Sequence, residues 1–333
     1  AMLALRNAYL YTPVNDGRGK DGYLGSQEYV AENPEYGAVF TYYLKGEQTL
    51  KTAERTKKEK ELNKAGTDID FAGWDVLLAE KNEIKEQHWV VITDVENKVV
   101  RKMQVPSGKG LHRFTWDFSA ENAMPINTGE KLNENKNGGF RVGPGTYRIT
   151  LYYVHQGKAT PLTTPKSFDV IPLYPGTLPS KNDGVKNTFI AQYVAVSSRK
   201  SLLEYDFNQA KKQASAMELA LKRSPNSLGA LESELVDLTN ELRNLDLLLE
   251  GNPLKDEVGE KNIPTINERI WAASSALWGG NGYGPTTTAQ QSLDIAERML
   301  ADFDAKLAVI KLKAATIYEE LKKSGAPVIR GME

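Results

Sequence analysis

The sequence predicts a chain of two parts: an antiparallel β-sandwich with a helical insertion, followed by an antiparallel, up-down four-helix bundle. Short aromatic and β-branched segments separated by turn residues fill the first half, and no helix follows each strand. Apolar residues at helical spacing fill the second half, in four stretches that end at Gly or Pro. The predicted boundaries are 34–175 for the sandwich, with its insertion at about 47–86, and 183–325 for the bundle. Residues 1–33 are predicted as a linker from an upstream domain, and residues 326–333 as a tail.

The composition excludes several classes of protein. The 333 residues carry 42 Lys and Arg against 43 Asp and Glu, so the formal net charge is −1. This balance argues against a general nucleic-acid binder, which is normally basic. The absence of Cys excludes disulfides, thiol catalysis and thiolate metal sites. Three histidines, His88, His112 and His155, are dispersed along the sequence, so a multi-histidine metal site is not expected. No apolar run approaches the roughly 20 residues of a membrane-spanning helix.

Six segments of the first half are predicted as strands because they are rich in aromatic and β-branched residues. The strongest is Thr146–His155 (TYRITLYYVH), which follows a tight Gly-Pro-Gly turn. The others are Gly37–Leu44, His88–Asp94, Lys98–Gln104, Gly110–Phe118 and Lys166–Val170. The polar segment Ser119–Gly139 is predicted as a long loop.

The helical insertion has two predicted helices. Lys51–Lys64 (KTAERTKKEKELNK) has Glu and Lys at helical spacing, which is typical of a solvated helix and leaves an interaction arm as the alternative. Phe71–Glu80 is predicted as a short second helix that uses Trp74, Leu77 and Leu78 as anchors.

Four amphipathic helices are predicted in the second half. They cover Val185–Arg223, about 228–249, about 264–277 and about 286–321, and the second carries an unbroken Leu heptad seam from Leu228 to Leu249. The apolar stripes are expected to form the core of the bundle, and a seam left open for a partner helix is the alternative. Because two helices are long and two are short, the bundle is expected to thin toward one end, where a partner would bind.

Two groups of residues carry a family resemblance. The run VVRKM…GLHRFTWDF…GGFRVGPGTYRITLYYV resembles the immunoglobulin-like (Ig-like) module of flagellar-hook-capping proteins and many bacterial secreted enzymes. NPEYGAVFTYYLK, with its charged insertion, and GPTTTAQQSLDIA resemble the region that follows the β-propeller in bacterial sortilin-like proteins. Those proteins carry BNR/Asp-box repeats and are often described as glycosyl hydrolase-like. The resemblance covers nearly the whole chain, and it implies an Ig-like sandwich and an extracytoplasmic location (periplasmic, cell surface or secreted).

The propeller itself has no counterpart in the sequence. No S-x-D-x-G-x-T-W Asp-box and no blade-length repeat occurs in the chain. The resemblance therefore transfers no catalytic, cofactor-binding or metal-binding residue, and no cofactor is expected. The predicted function is a non-catalytic structural or interaction module at the C-terminus of a large secreted or surface β-propeller protein, with its own upstream propeller as partner. Whether the parent protein is a glycosidase-like hydrolase is left open.

Four tyrosines are the candidate ligand-binding residues. Tyr42, Tyr43, Tyr152 and Tyr153 could offer a stacking platform for sugars, which makes an accessory carbohydrate-binding module of a glycoside hydrolase the alternative function. Adjacent residues of a strand point to opposite faces, so half of each pair is expected in the core. Another protein or a glycan is the expected additional partner, and neither nucleic acid nor a membrane span is expected.

Three weaker candidates have simpler explanations. Asp16–Gly22 (DGRGKDG) is typical of a linker turn and lacks the spacing of a calcium loop, which stays the alternative. His112 and Asp117 point to opposite faces of a predicted strand, so they do not form an acid–base pair. Gly279–Pro285 is Gly-rich but lacks the Lys-Ser/Thr of a phosphate loop, and we interpret it as a helix connection.

Overall fold

Strands fill the first half of the chain and helices fill the second. The computed structural model describes residues 1–11, 35–46, 48–130, 138–174, 183–225, 229–278 and 284–332. The chain divides into two units: a β unit (Ala1–Asn122 and Lys131–Pro175) and a helical unit (Ala123–Glu130 and Gly176–Glu333).

The larger sheet of the β unit has six strands. Its order is β1 (Ala8–Leu10), β10 (Lys166–Pro172), β8 (Gly145–His155), β3 (Gln87–Thr93) and β4 (Val99–Val105), and β9 (Lys158–Pro161) pairs with the end of β8. All its pairs are antiparallel except β1 with β10, which is parallel.

Two smaller sheets complete the β unit. β2 (Ala38–Leu44) pairs antiparallel with β5 (Gly110–Trp116), and β6 (Ser119–Glu121) pairs with β7 (Gly138–Arg141). The prediction of one long loop at 119–139 is wrong, because β6 and the start of β7 lie within that segment. Strands occupy both ends of that segment, Ala123–Glu130 belongs to the helical unit, and residues 131–137 lie outside the described part of the chain.

The first residues of the chain are not a linker, contrary to the sequence prediction. Met2 forms an antiparallel bridge with Tyr42 of β2, and the backbone N–H of Leu3 donates to the carbonyl of Thr41 at 3.0 Å. A few residues later, β1 pairs with β10 of the larger sheet. One segment therefore hydrogen bonds to both sheets in succession, which its short, weakly patterned sequence does not reveal. Residues 12–34 are outside the described part.

The larger sheet and the β2–β5 sheet bury their side chains in one shared core. Alternate residues of β2 are buried, as expected for a strand with one covered face. The ring of Phe40 on β2 contacts that of Phe168 on β10 at 5.0 Å, and Trp116 on β5 contacts Tyr147 on β8 at 5.5 Å. At the start of β8 the hydroxyl of Tyr147 donates to the carbonyl of Gly143 at 2.8 Å, which ties the strand to the turn before it.

The helical insertion buries none of its residues. α1 (Lys51–Lys64) and α2 (Trp74–Lys81) are joined by the guanidinium of Arg55, which donates to both carboxylate oxygens of Glu80 at 2.8 and 2.9 Å. The predicted anchors Trp74 and Leu78 are wrong, because Trp74 is 78% exposed and Leu78 is also exposed. The ring of Trp74 contacts that of Phe71 at 5.0 Å.

The helical unit contains four longer helices and one short one within the described residues. They are α3 (Asp183–Lys222), α4 (Ala230–Glu250), α5 (Pro253–Glu257), α6 (Ile266–Trp278) and α7 (Thr287–Lys323). None of the helices in the described ranges combines the length and the apolar character needed to cross a membrane.

Ion pairs across the helices show that α3 and α7 run parallel. Arg199 of α3 pairs with Asp304 of α7 at 2.9 Å. Seven residues later on each helix, Asp206 pairs with Lys311 at 2.8 Å. The residue numbers of the paired side chains increase together along the two helices, as they must when both helices run in the same direction. An up-down four-helix bundle would bring its first and last helices together antiparallel, so this part of the prediction is wrong.

α4 runs antiparallel to α3 and α7. Lys211 of α3 pairs with Asp246 of α4 at 3.3 Å, whereas the later Glu218 accepts a hydrogen bond from the earlier Thr239 at 3.0 Å. Lys313 of α7 pairs with Glu241 of α4 at 2.9 Å, which places α4 beside the second half of α7.

α6 lies end to end with α4, so that the two short helices form one helical row. Asn267 at the start of α6 donates to Glu250 at the end of α4 at 2.8 Å, and Ala272 of α6 shares a cavity wall with Ser292 in the first half of α7. The unit therefore has three helical rows: α3, α4 followed by α6, and α7. The expected thinning toward one end does not occur, because the two short helices lie one after the other beside two long ones.

The predicted apolar stripes form the core of the helical unit, which confirms their assignment. On α7 every stripe residue from Leu293 to Leu321 is buried, and on α4 the seam from Leu235 to Leu249 is buried. The start of α7 is capped as helix rules require, because Thr286 Oγ accepts from the N–H of Ala289 at 3.1 Å.

Replacing Leu238 by Ala should lower the free energy of unfolding of the helical unit by about 2–5 kcal/mol, because the side chain is fully buried in the seam of α4. Leu247→Ala on the same helix is the matched control: Leu247 is 42% exposed, and its loss should cost less than about 1 kcal/mol. Urea denaturation followed by far-UV circular dichroism measures both, and equal losses would contradict the assigned seam.

Candidate functional site

The four predicted tyrosines do not form one platform. Tyr42 is fully buried in the core of the β unit, and its neighbour Tyr43 is exposed on the outer face of β2. On β8, Tyr147, Ile149 and Leu151 point into the core, so Tyr152 lies on the outer face of the larger sheet. Tyr153 points to the same side of β8 as Ile149 and Leu151, but it lies near the end of the strand. The four side chains therefore occupy different surfaces of the two sheets.

Tyr152 has an aromatic neighbour that the sequence analysis missed. Trp89 of β3 lies directly opposite Tyr152, and both are half-buried on the outer face of the larger sheet. Gln104 of β4 lies opposite Trp89 on its other side, and Pro161 of β9 lies opposite Tyr152. We call this set of four residues the outer row. Only the register of three strand pairs reveals it, because its members are 9 to 72 positions apart in the sequence.

The three histidines, dispersed in the sequence, lie within a single cluster at one end of the β unit. The ring of His88 lies 5.6 Å from that of Tyr153, which lies 6.2 Å from that of His155. His112 stacks on Tyr42 at 5.2 Å. We call these five residues the histidine cluster. Among the described residues, no group of three or more His, Asp or Glu is arranged so that it could hold a metal ion.

The connection between β4 and β5 holds the histidine cluster by three hydrogen bonds. The hydroxyl of Tyr42 donates to the carbonyl of residue 106 at 2.5 Å. His88 Nδ1 is 2.9 Å from the hydroxyl of residue 107, and His112 Nε2 is 2.9 Å from the carbonyl of residue 108. Burial also raises the pKa of Tyr42 to about 12, so its hydroxyl stays protonated and donates at neutral pH.

His88 is a buried, neutral imidazole. Its side chain is 3% exposed, and burial lowers its pKa below the ordinary value because the charged form loses hydration. The carboxylate of Glu86 acts in the opposite direction and the nearby His112 in the same direction, and the loss of hydration is the largest effect.

A cavity of about 470 Å³ opens beside His88. Tyr153, Lys45, Gln48 and Glu86 contribute to its wall. Gln48 and Glu86 satisfy each other: the backbone N–H of Gln48 donates to Glu86 Oε1 at 2.9 Å, and that of Glu86 donates to Gln48 Oε1 at 2.7 Å. The wall thus combines an aromatic ring, a neutral imidazole and one lysine, which suits binding of a small polar molecule.

The contact between Ser107 and His88 is the nearest approach to a catalytic arrangement in the β unit. A serine nucleophile needs a histidine base that a third group, usually a carboxylate, holds in place. The carboxylate that acts on His88 is Glu86, and it accepts its hydrogen bond from the backbone of Gln48. The geometry therefore favours a structural hydrogen bond over a Ser–His–acid triad.

The weaker candidates of the sequence analysis have structural partners. Asp117 Oδ1 accepts from the backbone N–H of Ser119 at 3.0 Å. The possible calcium loop at 16–22 and residues 279–283 of the Gly-rich connection lie outside the described residues.

Comparison of the chain with known protein families, with curated proteins and with solved structures finds no match.

The stability of the β unit should fall as the pH is lowered below about 6.5, the ordinary pKa of the unfolded His88. Above that pH, His88 is neutral in both the folded and the unfolded state. Below it, the unfolded chain takes up a proton that the folded site resists, so the free energy of unfolding falls. The fall ends when the pH reaches the lowered pKa of His88 in the folded state. One proton limits the slope to about 1.4 kcal/mol per pH unit.

Urea denaturation at several pH values between about 5 and 8, followed by near-UV circular dichroism, measures this slope. His88→Gln should flatten it, whereas His155→Gln, the control from the same cluster, should leave it in place. A slope that survives in His88→Gln would contradict the assignment.

Proposed function

We propose that this chain is a non-catalytic interaction module: an Ig-like β-sandwich followed by a three-row helical unit, from the C-terminal part of a secreted or surface β-propeller protein of the sortilin-like kind. The observation that carries the proposal is the core that the β2–β5 sheet shares with the larger sheet, as in an Ig-like sandwich.

Ig-like domains support this interpretation in two ways. Their strands form two antiparallel sheets over a common core, and here the β2–β5 sheet shares its core with the larger sheet. They also have a tyrosine near the start of a late strand whose hydroxyl bonds to the backbone just upstream, and the Tyr147–Gly143 hydrogen bond has this form. The Ig-like fold by itself serves many functions, so the interaction role rests on the sequence resemblance and on the surfaces described above.

The first experiment reads the gene upstream of Ala1. We expect Asp-box propeller repeats and a secretory signal there, and the propeller expressed separately should bind this chain in size-exclusion chromatography. An open reading frame that starts at Met2 would contradict the propeller partner. Turnover of a glycoside by the purified chain would contradict the non-catalytic role.

The outer row favours a second function, binding of a carbohydrate. Trp89 and Tyr152 lie side by side on one sheet face, and the indole N–H of Trp89 donates to Gln87 Oε1 at 2.9 Å, which fixes the ring. Aromatic rings flanked by amide groups offer both stacking and hydrogen bonds to a sugar.

A glycan array probed with the full chain tests the second function. If the outer row binds sugar, Trp89→Ala and Tyr152→Ala should each lower affinity about tenfold, the effect of losing roughly 1.4 kcal/mol of contact. Tyr43→Ala is the matched control, since Tyr43 is an exposed strand tyrosine on the other sheet. Binding that is unchanged in Trp89→Ala, or no binding on the array, would contradict this function.

A further inference from the structure

An open cavity of about 720 Å³ lies at the interruption between α4 and α6 in the helical unit. Residues 259–264 form one wall, α6 forms another, and Ser292 of α7 lies at its edge. The charged and aromatic side chains of its wall are those of Glu260, Lys261, Glu268, Arg269 and Trp271.

The two acidic groups in the wall are already engaged. Glu260 pairs with Lys255 at 2.6 Å. Glu268 accepts from the backbone N–H of Thr265 at 2.8 Å, while Thr265 Oγ accepts from the N–H of Glu268 at 3.1 Å, which is a complete capping box at the start of α6. The N-terminus of α6 is therefore satisfied by its own residues.

The two basic groups in the wall are not engaged. Within the part of the chain that the structure describes, the side chains of Arg269 and Lys261 make no hydrogen bond and no ion pair, and the Nε of Arg269 is buried without an acceptor. A buried donor without an acceptor costs free energy, and an arginine donor is the more costly because it is charged. The terminal N–H groups of the same guanidinium also lack an acceptor among the described residues and are not buried, so these are the donors that a ligand would use.

Trp271 adds an apolar surface to the same wall. Its side chain is 74% exposed although it lies in the middle of α6, where the neighbouring Ile270 is buried in the core. An indole face in the wall of the same cavity as a guanidinium can stack on a flat or cyclic ligand.

We propose that this cavity binds a small ligand that carries a carboxylate on a ring. The carboxylate accepts hydrogen bonds from the guanidinium of Arg269, Lys261 adds a second positive charge, and the ring lies against Trp271. A carboxylate suits the site better than a phosphate dianion, because Glu260 and Glu268 balance the formal charge of the wall and would repel a second negative charge. The proposal is independent of the function proposed for the β unit.

Isothermal titration calorimetry of the full chain tests the site with two probes, D-glucuronate and phenylacetate, which separate a sugar acid from an aromatic acid. At least one should bind at millimolar concentrations or below, while glucose and inorganic phosphate should bind more weakly. Failure of both acids to bind at millimolar concentrations would overturn the proposal.

Variants then locate the bound acid. Arg269→Gln and Trp271→Ala should each weaken binding about tenfold or more, in line with the loss of a charge-assisted hydrogen bond or a stacked ring. The matched controls are Arg298→Gln on α7 and Trp74→Ala in the helical insertion, an arginine and a tryptophan outside the cavity wall. Circular dichroism verifies that each variant is folded, and an affinity that Arg269→Gln leaves unchanged would overturn the site.

Discussion

The arrangement of the β unit depends on the short connection between β4 and β5. Residues 106–108 hydrogen bond in turn to Tyr42 of β2, His88 of β3 and His112 of β5, so they join strands of both sheets. Because each partner is aromatic and largely buried, these bonds fix ring positions as well as strand spacing. The same connection thus holds His88 in the buried position that keeps its imidazole neutral.

The helical unit is organised by a different constraint, the need to cover two long apolar stripes with shorter helices. α3 has 40 residues and α7 has 37, whereas α4 has 21 and α6 has 13. Only the two short helices placed end to end can cover the long ones. Outside the five residues of α5 the junction between them is not helical, and side chains such as Asn262, whose Oδ1 accepts from the N–H of Asn252 at 3.1 Å, satisfy its polar groups. The cavity at this junction is a consequence of that break.

Local patterns in the sequence predict most of the elements but not how they meet. The alternation in Gly37–Leu44 and the stripe from Leu293 to Leu321 depend on neighbouring residues, and both predictions are confirmed. The direction of α6, the double pairing of the first residues and the convergence of the histidines depend on contacts between distant residues. Trp89 could be recognised as a neighbour of Tyr152 only from the register of β3 with β8.

The parallel direction of α3 and α7 has a mechanical consequence. A bundle with an even number of passes returns the chain to the end at which it started, whereas three passes carry it from one end to the other. At about 1.5 Å per residue, the 37 residues of α7 separate the two ends by about 55 Å. Within the helical unit, the first residue of α3 and the last residue of α7 therefore lie at opposite ends of the three helical rows.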